Sequence, residues 1–301
     1  LELFTLPQGN LQLHLSPDAI IPLALSIPWR LRAMRPIAWL SFIHWHFAEC
    51  DPQNASSLLE EAEERFVLNP DPSDPPIPAW LQRRIRGEAL LIRGILAFND
   101  LWAMRDAHAA AHELLSGRSA ISSRRMIWNF ACPHSAYLFL REPGTYAAMI
   151  DLLKGGLQYF HDLSDGCSQG AELLFEAEFL LERGAFAEVE SLLRAAEMRA
   201  KSKEQATVLL SAAFTRSRLL AAQGRHEEAE AALAAITPRI QALGHVELST
   251  CLDLALGYLR ASAGALADVP AWLREDEIPP SRSVLQMAGF IQAVRGAQVR
   301  L

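Results

Sequence analysis

Apolar residues recur every three or four positions along most of the chain. Between 171 and 200 they fall at Leu173, Leu174, Ala177, Leu180 and Leu181, then at Phe186, Val189, Leu192, Leu193 and Ala196. A period near 3.6 predicts amphipathic helices, and strand alternation fits it poorly. Between the two runs stands Gly184, one of four glycines (Gly144, Gly184, Gly224, Gly264) spaced 40 residues apart. Each divides an apolar-periodic run from the next, in FLREPGTYAAMIDLL, FLLERGAFAEVESLL, LLAAQGRHEEAEAAL and LRASAGALADVPAWL. The pattern predicts a helix, a C-terminal glycine that accepts left-handed backbone angles, and a second helix folding back. Two less regular units precede these, turning near Asp51–Pro52 and Asn99–Asp100. The sequence therefore predicts an all-α chain of about six helical hairpins.

One hairpin cannot bury its apolar stripe alone, whereas stacked hairpins share a continuous core. A small rotation per unit turns the stack into a right-handed superhelix, an α-solenoid with a concave inner face. A period of about 34 would be the tetratricopeptide consensus, and ~40 is a longer relative without its strict signature, so the units are TPR-like. Two stretches interrupt the pattern. Residues 69–79 (NPDPSDPPIPA) carry five prolines and predict a stiff connection between the first two hairpins. Residues 1–15 alternate on both sides of Pro7-Gln8-Gly9-Asn10, a β-hairpin signal. A lone hairpin is marginal in water, so 1–15 reads as the remnant of a preceding domain and 16–301 as the solenoid. The chain starts at Leu1 rather than Met, and AGFIQAVRGAQVRL carries no stop signal before Leu301. Both ends are expected to be cut, the C-terminal one within the solenoid.

Composition narrows the functional classes. The net charge of −7 provides no basic face for nucleic acid. No apolar run reaches the roughly 18–20 residues of a membrane span. Four cysteines (Cys50, Cys132, Cys167, Cys251) without a CxxC pair suggest thiols in the cytoplasm rather than a disulfide or zinc framework. No glycine-rich loop ending in Lys-Ser/Thr is present, and no cofactor is expected.

Several constellations invite a chemical reading. Gly166-Cys167-Ser168-Gln169-Gly170 matches the G-x-S-x-G nucleophile elbow, which works only where a strand turns into a helix. Here it joins two predicted helices, so a glycine-rich connection with Ser168 as a cap is expected, and no catalysis. His108 and His112 stand one helical turn apart, as do His46 and Cys50, beside His44. A zinc site needs further ligands that neither set has nearby. The runs Glu60-Glu61-Ala62-Glu63-Glu64 and Glu275-Asp276-Glu277 read as solvated helix faces. Aromatic residues gather in the central units as Trp128, Tyr137, Tyr159, Phe160 and His161. Core packing accounts for most aromatics at helical spacing. The alternative is a concave pocket in which Trp128, Tyr137, Tyr159 and His161 line a ligand while Asn129, Glu172 or Glu176 hydrogen-bond it.

The segments LREPG (140–144), YFHDLSDGCSQGAELLFEAE (159–178) and RGAFAEVESLLRAA (183–196) look familiar together. With SIPWR and RPIAWL near the start and ADVPAWLREDEIPP at 267–280, nearly the whole chain resembles the helical-repeat region of MalT-like, LuxR-type transcriptional regulators. The resemblance implies a signalling ATPase and a winged-helix segment before the repeats, and a helix-turn-helix behind them. It makes 1–15 the winged-helix remnant. It implies that the repeats sense a small-molecule inducer or a regulatory protein, with DNA bound only through the missing helix-turn-helix. The rival reading is a helical-repeat scaffold that binds proteins alone.

Overall fold

The computed structural model describes residues 17–48, 52–97, 100–124 and 144–274. Among the described residues every regular element is helical and there is no β-strand. The helices are α1 (Pro17–Leu25), α2 (Trp29–Ala33), α3 (Pro36–Ala48), α4 (Pro52–Glu63), α5 (Ala79–Leu96), α6 (Leu101–Leu115), α7 (Tyr146–Leu163), α8 (Ala171–Glu182), α9 (Phe186–Ser202), α10 (Ala206–Ala222), α11 (His226–Leu243), α12 (Val246–Ser262) and α13 (Ala271–Arg274). A π turn, Glu64–Leu68, prolongs α4, and a 3-10 turn, Leu266–Asp268, leads into α13. The expected β-hairpin at 1–15 and the Glu275-Asp276-Glu277 cluster lie outside the described residues. By their contacts the residues form two compact units, Leu1–Ser123 with Gly155–Asp165, and Arg124–Lys154 with Gly166–Leu301.

In the first unit α3 packs on α4 and α5, and α5 packs on α6. The core is aromatic at one end, where Trp39, Phe42, Trp45 and Phe66 are fully buried. The Arg32 guanidinium lies 4.1 Å from the Trp39 ring centroid and caps the carbonyls of Ile27 and Leu25. Two glycines of α5, seven residues apart, seat side chains of α6 against the α5 backbone. A Cβ on Gly87 would lie 2.6 Å from Leu115 Cγ, and one on Gly94 would lie 2.5 Å from His108 Cδ2. Only glycine admits that approach. The proline-rich connection is held at its start by an Asx turn, the Ser73 N–H donating to Asp71 Oδ1 at 2.8 Å. Beyond α6, residues 119–120 are tied to the buried carboxylate of Glu88 on α5, which accepts from Ser119 Oγ and from the Ala120 N–H at 2.7 Å. Burial pushes the Glu88 carboxyl above its usual range, against the pull of those two donors.

In the second unit α8 packs on α9 and α10, and α10 on α11 and α12. The first helix of each hairpin thus touches its own partner and the first helix of the next hairpin, and composition follows. Helix α10 is buried nearly all round (Val208, Leu209, Leu210, Ala212, Ala213, Phe214, Leu219), whereas α11 buries one stripe, Ala229, Leu233 and Ile240. A helix covered on all sides must be apolar on all sides.

The forty-residue period is written into the backbone at three turns. Gly184, Gly224 and Gly264 have φ of +75°, +76° and +78°. In each, the glycine N–H bonds the carbonyl three residues back, and the next N–H bonds the carbonyl five back: Ala185 to Leu180, Arg225 to Leu220 and Ala265 to Arg260, each at 2.9 Å. That is the Schellman end of a helix. Helix α9 ends the same way, Gln205 N to Ala200 O at 2.9 Å, but with Glu204 at φ +59° in the glycine position. Opposite effects are expected at equivalent positions. Glu204→Gly should stabilise by about 0.5–1 kcal/mol, and Gly224→Ala, with open space around its absent Cβ, should destabilise by about 1 kcal/mol through backbone strain alone. Chemical denaturation of both variants checks the pair; equal signs would contradict it.

Candidate functional site

The forty-residue register also aligns side chains. Glu178 on α8, Arg218 on α10 and Tyr258 on α12 each stand six residues before their turn glycine, so the repeat places them at matching points on consecutive first helices. Around them the i, i+3, i+4, i+7 spacing brings Phe175, Phe179 and Glu182 to the same face of α8, and Ser211, Phe214 and Thr215 to that of α10.

Glu178 is fully buried, and Thr215 Oγ1 donates to its Oε1 at 3.4 Å. The Arg218 side chain is 9% exposed and bonds through Nη2 to Glu182, whose side chain is 61% exposed. Its guanidinium carbon lies 5.8 Å from the Phe214 ring and 6.0 Å from the Tyr258 ring, which meet edge to face at 87°. The Nη1 of Arg218 is buried and has no hydrogen-bond partner among the described residues. From the start of α7, Tyr146 stacks on Phe179 with centroids 5.3 Å apart and donates its hydroxyl to the Phe175 carbonyl at 3.2 Å. Burial first, then the nearby Glu178 charge, push the Tyr146 phenol above its ordinary range, so it stays a donor. The cluster joins one nine-tenths-buried cation, one fully buried carboxylate and aromatic rings that are buried or partly buried. Such a set can orient a small polar molecule by charge-assisted hydrogen bonds and ring contact.

The residues singled out from the sequence lie elsewhere. Trp128, Asn129 and Tyr137 fall outside the described residues. Tyr159 and His161, on the last turns of α7, belong to the first unit; Glu172 and Glu176 belong to the second. Tyr159 is 36% exposed, with its ring 5.6 Å from that of His112. Glu172 is engaged locally: Oε2 accepts from the Gly170 N–H at 3.0 Å, and Oε1 pairs with Arg199 of α9. It anchors the start of α8 beside Gly170, where a Cβ would lie 2.7 Å from the Ala196 carbonyl. Glu176 pairs with Lys154 Nζ at 2.7 Å.

The G-x-S-x-G segment is a turn between α7 and α8. Ser168 has φ +59° and is 1% exposed, and its N–H donates to Gln205 Oε1 at 2.8 Å. Cys167 beside it is fully buried, and burial pushes its thiol up to about 12. The histidine pair His108 and His112 diverges, the first buried against Gly94, the second 3.6 Å from Asp162 Oδ2. His46 meets Asn54 at 2.9 Å, and Cys50 lies outside the described residues. Among the described residues no three His, Cys, Asp or Glu side chains come together to hold a metal ion. No described helix is long and apolar enough to cross a membrane.

Missed from the sequence were Tyr146, Glu178, Arg218 and Tyr258. The signal that finds three of them is the register itself, which sets Glu178, Arg218 and Tyr258 six residues before Gly184, Gly224 and Gly264. Among the described residues the fold is all-helical, with packed hairpins and a polar row along successive first helices. No family model, curated protein or solved structure matches the chain.

Proposed function

We propose that the chain is the effector-sensing or protein-interaction region of a LuxR-type transcriptional regulator, a right-handed solenoid of about six TPR-like hairpins. Its inner face takes a small-molecule inducer or a regulatory protein, in the cytoplasm, and passes the signal to an ATPase and a DNA-binding domain. The observation that carries this reading is the row of Glu178, Arg218 and Tyr258 on successive first helices, where a purely structural array has no need of a buried cation and carboxylate. Burying charged groups costs free energy that pairing repays only in part, and this cost on successive first helices supports a reading by recognition. Ligand that prefers one packing of the hairpins over another shifts the population of states, which is the physical content of sensing.

The test is a thermal-shift screen of the chain against metabolite and peptide libraries. A specific small effector raises the melting temperature with its concentration, by about 2.7 kcal/mol of added stability at a hundredfold excess over Kd. A response to proteins alone favours the scaffold reading. A longer chain carrying the proposed ATPase should show nucleotide and effector affinities that depend on each other, and independent binding counts against the relay.

A further inference from the structure

Helix α7 is shared between the two compact units. Its residues up to Lys154 belong to the second, and those from Gly155 onward to the first. The division shows in what its side chains touch. Before the boundary, Tyr146 stacks on Phe179 and Lys154 pairs with Glu176, both on α8. Past it, the rings of Tyr159 and Phe160 lie 5.6 and 5.2 Å from those of His112 and His108, both on α6. Gly155 and Gly156 stand at the crossing, in the middle of an 18-residue helix. Neither has a positive φ, so the backbone does not call for glycine there. A Cβ on Gly155 would meet nothing within 4 Å, so packing does not call for it either. Glycine weakens a helix interior because it has the most backbone freedom to lose, and sharp bends in helices gather at such small residues.

The chain crosses the same boundary twice more, between Ser123 and Arg124 and between Asp165 and Gly166. Each unit pins its own side of those crossings. In the first, the Ser119 N–H donates to the Leu163 carbonyl at 2.9 Å, and Arg118 pairs with Asp165 at 2.9 Å. In the second, Gln205 holds both the Arg124 carbonyl and the Ser168 N–H. Asp165 and Gly166 take φ of +58° and +91°, which makes that crossing a turn.

We infer that Gly155-Gly156 is a hinge in α7, about which the two units turn as rigid parts while the two short crossings follow. Hinges are a few positions that absorb the backbone change, and a glycine pair absorbs it with least resistance. The hinge is independent of what either unit binds.

Native-state hydrogen exchange on the full chain tests the hinge where it sits. The amides of residues 156–160 bond across the glycine pair, and their protection factors are expected to fall about tenfold below those of 150–153 and 161–163. End fraying alone gives the opposite order, with the centre of the helix best protected. Gly155→Ala should slow exchange at 156–160 about fivefold, the ordinary preference of a helix interior for alanine. Because a Cβ at 155 has open space around it, this variant keeps the fold. The second readout is the distance between spin labels on Arg86→Cys of α5 and Arg239→Cys of α11, both exposed positions. Cys50 and Cys132 are replaced by serine for this purpose, and Cys167 and Cys251 are buried from the label. A broad distance distribution that Gly155→Ala narrows supports the hinge. Protection that peaks at the centre of α7, or a distribution that Gly155→Ala leaves unchanged, overturns it.

Discussion

Lowering the pH from 6.5 to 4 is expected to unfold the first unit before carboxylate protonation is complete. His44 and His108 are buried there, 7% and 4% exposed, and burial lowers both imidazoles to about 4. The ring of His108 packs 5.2 Å from that of Phe160, and its Nε2 has no hydrogen-bond partner among the described residues. A charge placed on that ring would lack an acceptor. Since the folded value lies below the ordinary 6.5, the unfolded chain takes up the proton first. Stability from the neutral imidazoles is complete above pH 6.5 and is lost progressively as the pH falls toward 4, at about 1.4 kcal/mol per pH unit for each. By pH 4 each histidine has removed about 3 kcal/mol, against a net stability of about 5–15 kcal/mol for a typical domain. Tryptophan fluorescence follows this directly, because Trp29, Trp39, Trp45, Trp80 and Trp102 all belong to the first unit. His108→Leu, close in volume, should remove about half of the dependence while leaving stability at pH 7 nearly unchanged. A denaturation midpoint that is flat between pH 6.5 and 4.5 would falsify the assignment.

Gln205→Ala is expected to cost about 2–4 kcal/mol in the second unit, a large effect for one polar side chain. Gln205 is 3% exposed and uses its whole amide. Oε1 accepts the Ser168 N–H at 2.8 Å, while Nε2 donates to the carbonyls of Arg124 at 2.8 Å and Lys203 at 2.7 Å. Truncation leaves a buried backbone donor without an acceptor at a residue already held at φ +59°. Unsatisfied buried groups cost more than the hydrogen bond they lose was worth. Urea denaturation measures the total, and amide exchange at Ser168 should accelerate with it. Gln205→Glu should be no better, since it keeps an acceptor but loses both donors and buries a charge. A loss under about 1 kcal/mol would show that the three loops hold without this side chain.

How far the fold was legible follows from which interactions repeat. The four glycines at intervals of 40 were visible because a left-handed helix end needs glycine at the same place in each hairpin. Glu204 escaped notice for the converse reason, having adopted the same backbone with the wrong residue. Glu172 stands in the sequence as a candidate ligand-bonding residue, yet its oxygens serve Gly170 and Arg199, and nothing in the spacing along the chain foretells the second partner. Gln205 was equally invisible, since its three partners come from residues as far as 81 positions away.

Periodicity and turn chemistry by themselves thus determined the helical class, the hairpin unit and the position of its bends, because these depend on neighbours within a few residues along the chain. Only the tertiary structure decided which polar side chains meet. The row of Glu178, Arg218 and Tyr258, the staple at Gln205 and the buried imidazoles exist only once separate helices pack, and local sequence carries no record of the partner a side chain finds across a core.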